Sequence, residues 1–217
     1  MKKKRIFDLT LLFLISPLAL SILIILIILN FFLNGRPIFF KQKRIGYLNR
    51  DFTIYKFRSM PKDTDHNNNI KNLNRWNKFL RNSSLDEIPE FYNILIGDMS
   101  FVGPRPLLTE YINLYNKKNL RRHDVLPGIT GLAQINGRNS ISWKEKFFYD
   151  IEYVEKNSIY IDLKIILLTI LKIFNYKYIN SSSEVSMEKF NEDSEQQISN
   201  IRSWRACKSH TRDSFAK

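Results

Sequence analysis

Cysteine is nearly missing from this chain: a single residue, Cys207, stands near the end of 217. One thiol excludes an internal disulfide framework and a cysteine-based zinc site. Histidine is scarce as well, and His66, His123 and His210 fall at no ligand spacing, which argues against zinc chemistry. Acidic residues are outnumbered, 21 against 34 Lys and Arg, for a formal charge of +13. From Ser181 onward six basic residues balance six acidic ones, so the excess lies in residues 1–180. Such an excess suits anionic partners: nucleic acid, anionic lipid or a phosphorylated substrate. Internal repeats are absent, and the length fits one domain with additions.

What is abundant lies at the N-terminus. "KKKR" (2–5) precedes "LTLLFLISPLALSILIILIILNFFL" (9–33), roughly 25 almost wholly apolar residues and enough to span a bilayer as a helix. The run is too long for a secretory signal and offers no clear cleavage site. Ser16-Pro17 interrupts it, and Pro17 removes a backbone donor one turn after Phe13. Bases flank both ends: Lys2, Lys3, Lys4 and Arg5 before, Arg36, Lys41, Lys43 and Arg44 after, so charge gives no orientation. Physics alone leaves two readings open, a proline-kinked spanning helix and a re-entrant hairpin that enters and leaves by one face.

Residues 35–60 alternate short apolar-aromatic stretches with turns and read as short strands. Residues 61–74 are Asn-rich and read as a surface loop. Helical character begins at "RWNKFLR" and continues around "IPEFYNIL". A second helix is expected over 105–125, where Leu107, Tyr111, Leu114 and Tyr115 form a stripe ending in Lys117, Lys118, Arg121 and Arg122. Residues 126–143 are turn-rich, and "KEKFFYDIEYVEKN" is an amphipathic helix. "IYIDLKIILLTILKIF" (159–174) is too short to span; it suits a helix in the membrane interface, with a buried core helix as the alternative. After Asn180 the chain reads as a mostly disordered tail.

One stretch, "LRNSSLDEIPEFYNILIGDMSFVGPRP" (80–106), places Asp86 beside Glu87 among arginines and rigid turns. A structural explanation exists: Ser84-x-x-Glu87 matches a capping box. Pro89 opposes it, because it would fall inside that helix; with Pro89 at a helix start, both acids lie just outside. The functional explanation uses Arg81, Arg105, Lys56, Arg58 and Arg138 as phosphate-binding cations. Asp86 and Glu87 could then hold Mg²⁺ together with substrate phosphates, or an aspartate could attack phosphorus.

The ordered pieces "KRIFD", Ser16-Pro17, "GRPIFFKQKRIG", "KFRSM", "LRNSSLDEIPEFYNIL", "GDMSFVGPRP", "LPGITGLAQINGRN", "SWKEKFFYDIEYV" and "DLKIILLTI" carry a resemblance that runs from about residue 4 to "SMEKFN" near 190. Together they resemble the bacterial sugar transferase family, the small monotopic polyprenyl-phosphate phosphoglycosyl transferases. The resemblance implies an α+β, mainly helical fold: a re-entrant membrane helix-break-helix (1–34) turning at Ser16-Pro17, and a catalytic domain with short strands and interfacial amphipathic helices (35–180). A polar tail (181–217) follows. It implies that Asp86 is the nucleophile on a UDP-sugar, that Glu87 is an acid or Mg²⁺ partner, and that Arg81, Arg105 and Arg138 clamp phosphate. Lys56 and Arg58 are further phosphate-binding candidates, and Asp162 is a further site acid. Undecaprenyl phosphate is the implied acceptor and Mg²⁺ the implied cofactor. The implied place is the cytosolic face of the bacterial inner membrane, among membrane lipid, without nucleic acid and with room for downstream glycosyltransferases as partners. Glu90 stands where many relatives have Gln, and Phe101 where Leu is common. Without the additional membrane helices of larger relatives, the chain resembles a minimal catalytic unit. The alternatives from other classes are a membrane-tethered adaptor that binds anionic lipid or nucleic acid through its basic surface, and a membrane-bound phosphohydrolase.

Overall fold

The computed structural model describes residues 2–60, 73–137, 139–173 and Phe190. Helix α1 (Lys2–Asn34) is one uninterrupted helical segment with Pro17 inside it, about 50 Å long at the usual rise. It is long and apolar enough to cross a membrane. The expected break is therefore not two separate helices but the loss of one backbone bond. Pro17 cannot donate to Phe13, and the Ser16 hydroxyl donates to the Phe13 carbonyl instead, at 2.8 Å. That substitution satisfies the carbonyl in a setting where an orphan one is costly. Ser21 similarly donates to the Pro17 carbonyl at 2.9 Å.

One face of α1 packs along the rest of the protein. Leu11, Leu12 and Ile15 rest on the main core, and Ile22, Leu23, Leu26 and Ile27 on a second cluster with Phe57 and Leu80. The opposite face leaves Phe13, Leu14, Leu18, Ile24, Ile25 and Phe32 exposed. Both ends are also bonded to the same domain. At the start, Arg5 donates to the Ile94 and Leu95 carbonyls, and buried Asp8 accepts from the Ser100 hydroxyl and the Phe101 N–H. At the end, Asn30 donates to the Ile38 carbonyl and Asn34 to the Asn77 side chain.

Strands β1 (Phe39–Ile45) and β2 (Asp51–Phe57) form an antiparallel hairpin, with Phe39 opposite Phe57 and Ile45 opposite Asp51. Helix α2 (Arg75–Asn82) starts where the Asn74 side chain accepts from the Asn77 N–H. Helix α3 (Glu90–Ile96) follows Pro89, and Gly97 in the left-handed region ends it. Strand β3 (Ser100–Val102) then pairs in parallel with β4 (Gly128–Thr130). Gly103 and Gly128 allow their backbones to meet; a Cβ at either would collide with the other loop's backbone.

The helix expected over 105–125 is not one helix. Thr109–Leu114 form a 3₁₀ turn, and Leu108 and Tyr115 are extended. Asn116 then caps a separate short helix, α4 (Lys117–Leu120). The predicted stripe is nonetheless real. Leu107, Tyr111, Leu114 and Tyr115 all line an aromatic cluster with Ile45, Trp143, Phe147 and Phe190. Helical character also stops between α2 and α3, where Ser84 adopts φ +57.

After α5 (Leu132–Ile135), α6 (Trp143–Lys156) begins with a complete Ser142/Glu145 capping box. Helix α7 (Ile159–Ile173) buries Asp162 and Ile165 and turns Tyr160, Leu163, Leu167, Ile170 and Leu171 outward. Its outer face is thus apolar, as an interfacial helix requires. The core of Ile54, Ile94, Met99, Val102, Leu132, Tyr153 and Ile165 joins α3, both sheets, α5, α6 and α7. The fold is mainly helical with short strands. Residues 61–72 of the expected loop lie outside the described residues. So does the tail, except Phe190, which is buried in the aromatic cluster.

Candidate active site

The acids at 86 and 87 owe their position to local chain geometry. Ser84 reverses the chain, and Leu85–Glu87 form a single 3₁₀ turn before Pro89 opens α3. Leu85 and Ile88 on either side pack against the Leu26–Phe57–Leu80 cluster, which leaves Asp86 and Glu87 between two anchored neighbours. The capping box is not formed: the Ser84 side chain caps nothing. Glu87 serves the cations instead. Its Oε1 lies 2.7 Å from Lys56 Nζ and 2.7 Å from Arg105 Nη2. Lys56 Nζ is shared with Glu90 Oε1 at 2.9 Å. Strand β2, the α2–α3 turn, α3 and the loop after β3 thus each contribute one side of a single charged cluster.

The neighbouring carboxyls titrate apart. Burial, and then the adjacent Glu87 charge, push Asp86 up to about 6, against the pull of Lys56, Arg81 and Arg105. Burial also acts to raise Glu87, but Arg105 and Lys56 outweigh it and hold this carboxyl well below the usual range. Burial raises Glu90 to about 7 despite Lys56. Divergent titration of adjacent acids is a recurring property of reaction centres. One permanent anion, Glu87, orients Lys56 and Arg105, while Asp86 titrates within a field of cations.

Of the residues predicted from sequence, the structure brings together Asp86, Glu87, Lys56 and Arg105, with the charge of Arg81 acting on Asp86. Arg138 lies outside the described residues. Arg58 does not join them. Its guanidinium donates to the Asn34, Gly35 and Arg36 carbonyls, where it closes the end of α1. Asp162 is also elsewhere. It accepts from Lys4 at 2.6 Å and from the Tyr153 hydroxyl at 2.7 Å, so its role here is to hold the start of α1. Arg58 was a candidate as a cation and Asp162 as an acid implied by the resemblance; here Arg58 bonds backbone carbonyls and Asp162 bonds Lys4 and Tyr153. Glu90 joins the cluster unpredicted; its spacing of three from Glu87 was the available signal.

Residues 1–176 match the family described as "Bacterial sugar transferase". The chain is 44% identical over 192 residues to the uncharacterized sugar transferase EpsL of Bacillus subtilis, a match that covers 86% of this chain and 95% of that one. It is 39% identical to a UDP-glucose:undecaprenyl-phosphate glucose-1-phosphate transferase of Xanthomonas campestris pv. campestris, over 65% of this chain and 32% of that protein. It is 41% identical to the galactosyl transferase CpsE of Streptococcus agalactiae, over 63% of this chain and 34% of that one. The chain therefore spans nearly all of the first relative and about a third of the two longer ones. The chain belongs to the bacterial sugar transferase family and is an enzyme of that class.

Proposed function

We propose that this chain transfers a sugar 1-phosphate from a UDP-sugar to undecaprenyl phosphate, as an opening membrane step in exopolysaccharide or capsule assembly. The observation that carries this reading is the Asp86–Glu87 pair set among Lys56, Arg81 and Arg105, on a domain bonded to both ends of a membrane-seeking helix. The names of the relatives support the donor and acceptor. They also differ in sugar, glucose against galactose, so the sugar is left to experiment.

In this reading the Asp86 carboxylate attacks the sugar-bearing phosphorus of the donor. The bond from that phosphorus to the bridging oxygen breaks, and UMP leaves with the electron pair. The phosphate oxygen of undecaprenyl phosphate then attacks the same phosphorus, which frees the Asp86 carboxylate and yields the undecaprenyl-diphosphate sugar. Arg105 and Arg81 meet the negative charge on the phosphoryl oxygens, and Glu87 keeps Arg105 and Lys56 aimed. The two adjacent carboxylates fit Mg²⁺. Among the described residues no three His, Cys, Asp or Glu side chains are placed to hold a metal by themselves, so the donor's phosphates would complete the shell, which is the habit of this ion. When bound, Mg²⁺ would neutralise diphosphate charge.

The membrane placement follows the same logic. Because both ends of α1 bond to one domain, we read α1 as re-entrant, dipping into the bilayer from the cytosolic face with Ser16-Pro17 at its depth. The outward apolar face of α7 would lie in the same interface.

The test is Mg²⁺-dependent UMP release from a panel of UDP-sugars, with and without undecaprenyl phosphate, for wild type and Asp86→Asn in lipid. Acceptor-dependent release that chelation and Asp86→Asn both abolish supports the reading and names the donor. Acceptor-independent release limited to about one UMP per enzyme fits the covalent first step, whereas repeated turnover without acceptor indicates a phosphohydrolase. Full turnover by Asp86→Asn removes the covalent route.

A further inference from the structure

The turn Gly103-Pro104-Arg105-Pro106 carries the cation that bonds Glu87, yet its two prolines supply no N–H groups with which to fix its own shape. Its carbonyls are held from outside. Gly128 N–H donates to the Pro104 carbonyl at 3.1 Å, and Ile45 N–H donates to the Leu107 carbonyl at 3.1 Å. Arg44 Nη1 reaches the Pro106 carbonyl at 3.4 Å. The Arg105 carbonyl accepts from Arg122 Nη2 at 2.7 Å. Four consecutive carbonyls, 104–107, therefore each have a partner, drawn from three other parts of the chain: Gly128, Arg122 and the Arg44–Ile45 end of β1.

Arg122 is the unusual member of this set. It is 2% exposed, and its Nε and Nη2 both donate to Asp150 Oδ2, at 3.0 and 2.8 Å. The Phe147 ring lies beneath its guanidinium, with the centroid at 5.6 Å. A buried ion pair is no better for stability than a well-packed apolar pair of similar volume. The bond to the Arg105 carbonyl is what an apolar pair could not provide. Arg122 is enclosed by Asp150, Phe147, the Tyr115 hydroxyl and the turn, so its route to the site is the residue whose backbone it grips.

We propose that Arg122, oriented by Asp150, is a positioning residue for the phosphate-binding Arg105. It fixes the point from which the Arg105 side chain reaches Glu87 and the donor's diphosphate. The proposal rests on the transfer reading for the role of Arg105, and the grip itself can be tested apart from it.

The experiment is a double-mutant cycle on the full chain in lipid, with kcat/KM for acceptor-dependent UMP release and calorimetric UDP affinity as readouts. Arg122→Lys is expected to lower both by about tenfold when Arg105 is present, and by less than about twofold in an Arg105→Ala background. Equal losses in both backgrounds, or no loss in either, would overturn the proposal, since a purely structural Arg122 would harm every variant alike. Asp150→Asn, which keeps the side chain's shape, serves as the second variant if Arg122→Lys does not fold, and the same non-additivity is expected of it. Amide exchange at Gly128 and Ile45, whose N–H groups bond the same turn, reads the grip without activity; it should accelerate in either variant. Unchanged exchange there removes the grip. A wild type that neither binds UDP nor turns over any donor, with exchange still accelerated in the variants, removes the transfer reading and leaves the grip standing.

Discussion

Two of the buried charge clusters among the described residues are built on opposite plans. At the start of α1, Lys4, Tyr153 and Asp162 saturate one another. Asp162 receives the ammonium on one oxygen and faces the Tyr153 phenol with the other, and the single phenolic proton is shared between Asp162 and the Val102 carbonyl. At the candidate site, three carboxylates crowd round shared cations: Glu87 and Glu90 compete for Lys56, and Arg105 remains half-exposed beside them. The first arrangement has a partner for each charge and holds elements together. In the second the cations are shared, and burial, then the adjacent Glu87 charge, lifts Asp86 to about 6, which suits a group that must exchange partners with a substrate. Acidity at a buried position thus marks function only when its partners are shared.

The largest effect expected from breaking this contrast lies in the saturated cluster. Lys4→Met leaves Asp162 buried without its cation and should cost about 3–5 kcal/mol, read as a drop in thermal unfolding temperature. Adding Asp162→Leu should return most of that loss, while turnover per folded molecule changes little. A catalytic Asp162 would instead leave the double variant stable and inactive.

A smaller effect comes from titrating the shared cluster. In the proposed reaction Asp86 attacks as the carboxylate, and its folded value is raised by burial, so protonation intrudes at higher pH than for an ordinary aspartate. Activity should therefore be flat above about 6 and fall about tenfold per unit below it, in the pH profile of kcat/KM. A profile that stays flat to pH 5 would contradict the assignment of Asp86 as nucleophile.

The smallest effect separates two arginines that look alike in sequence. Arg58→Ala should remove about 1–2 kcal/mol of stability by stranding carbonyls at the end of α1, with the donor KM unchanged. Arg81→Ala should do the reverse, raising the donor KM about tenfold at nearly constant stability. Steady-state kinetics and thermal melts on the same preparations check both.

How far the sequence could be read follows the same division. Helices α1, α6 and α7 were legible because length and apolar spacing are local properties. Asp86 and Glu87 were legible because they are neighbours beside Pro89. The 105–125 stretch misled because a stripe at helical spacing also fits a 3₁₀ turn flanked by extended residues when both line one aromatic core. Arg122 read as a last-turn surface cation, since its partner Asp150 comes 28 residues later. Asp8 meets Ser100 across 92 residues. Residues whose partners are distant carry no mark in their own surroundings, and the contacts of Arg58 with the end of α1 and of Asp162 with Lys4 were not readable for that reason.

The tie between Asp162 and Lys4 also bears on how this protein acquires its topology. The core around Tyr153 is complete only when the first residues of the chain return to it. A chain whose N-terminus had been carried across the bilayer would leave Asp162, Ser100 and the Phe101 N–H without their partners at the heart of the domain. Under the re-entrant reading proposed above, these bonds form only in chains that keep both ends of α1 on one side, so the domain itself favours that orientation.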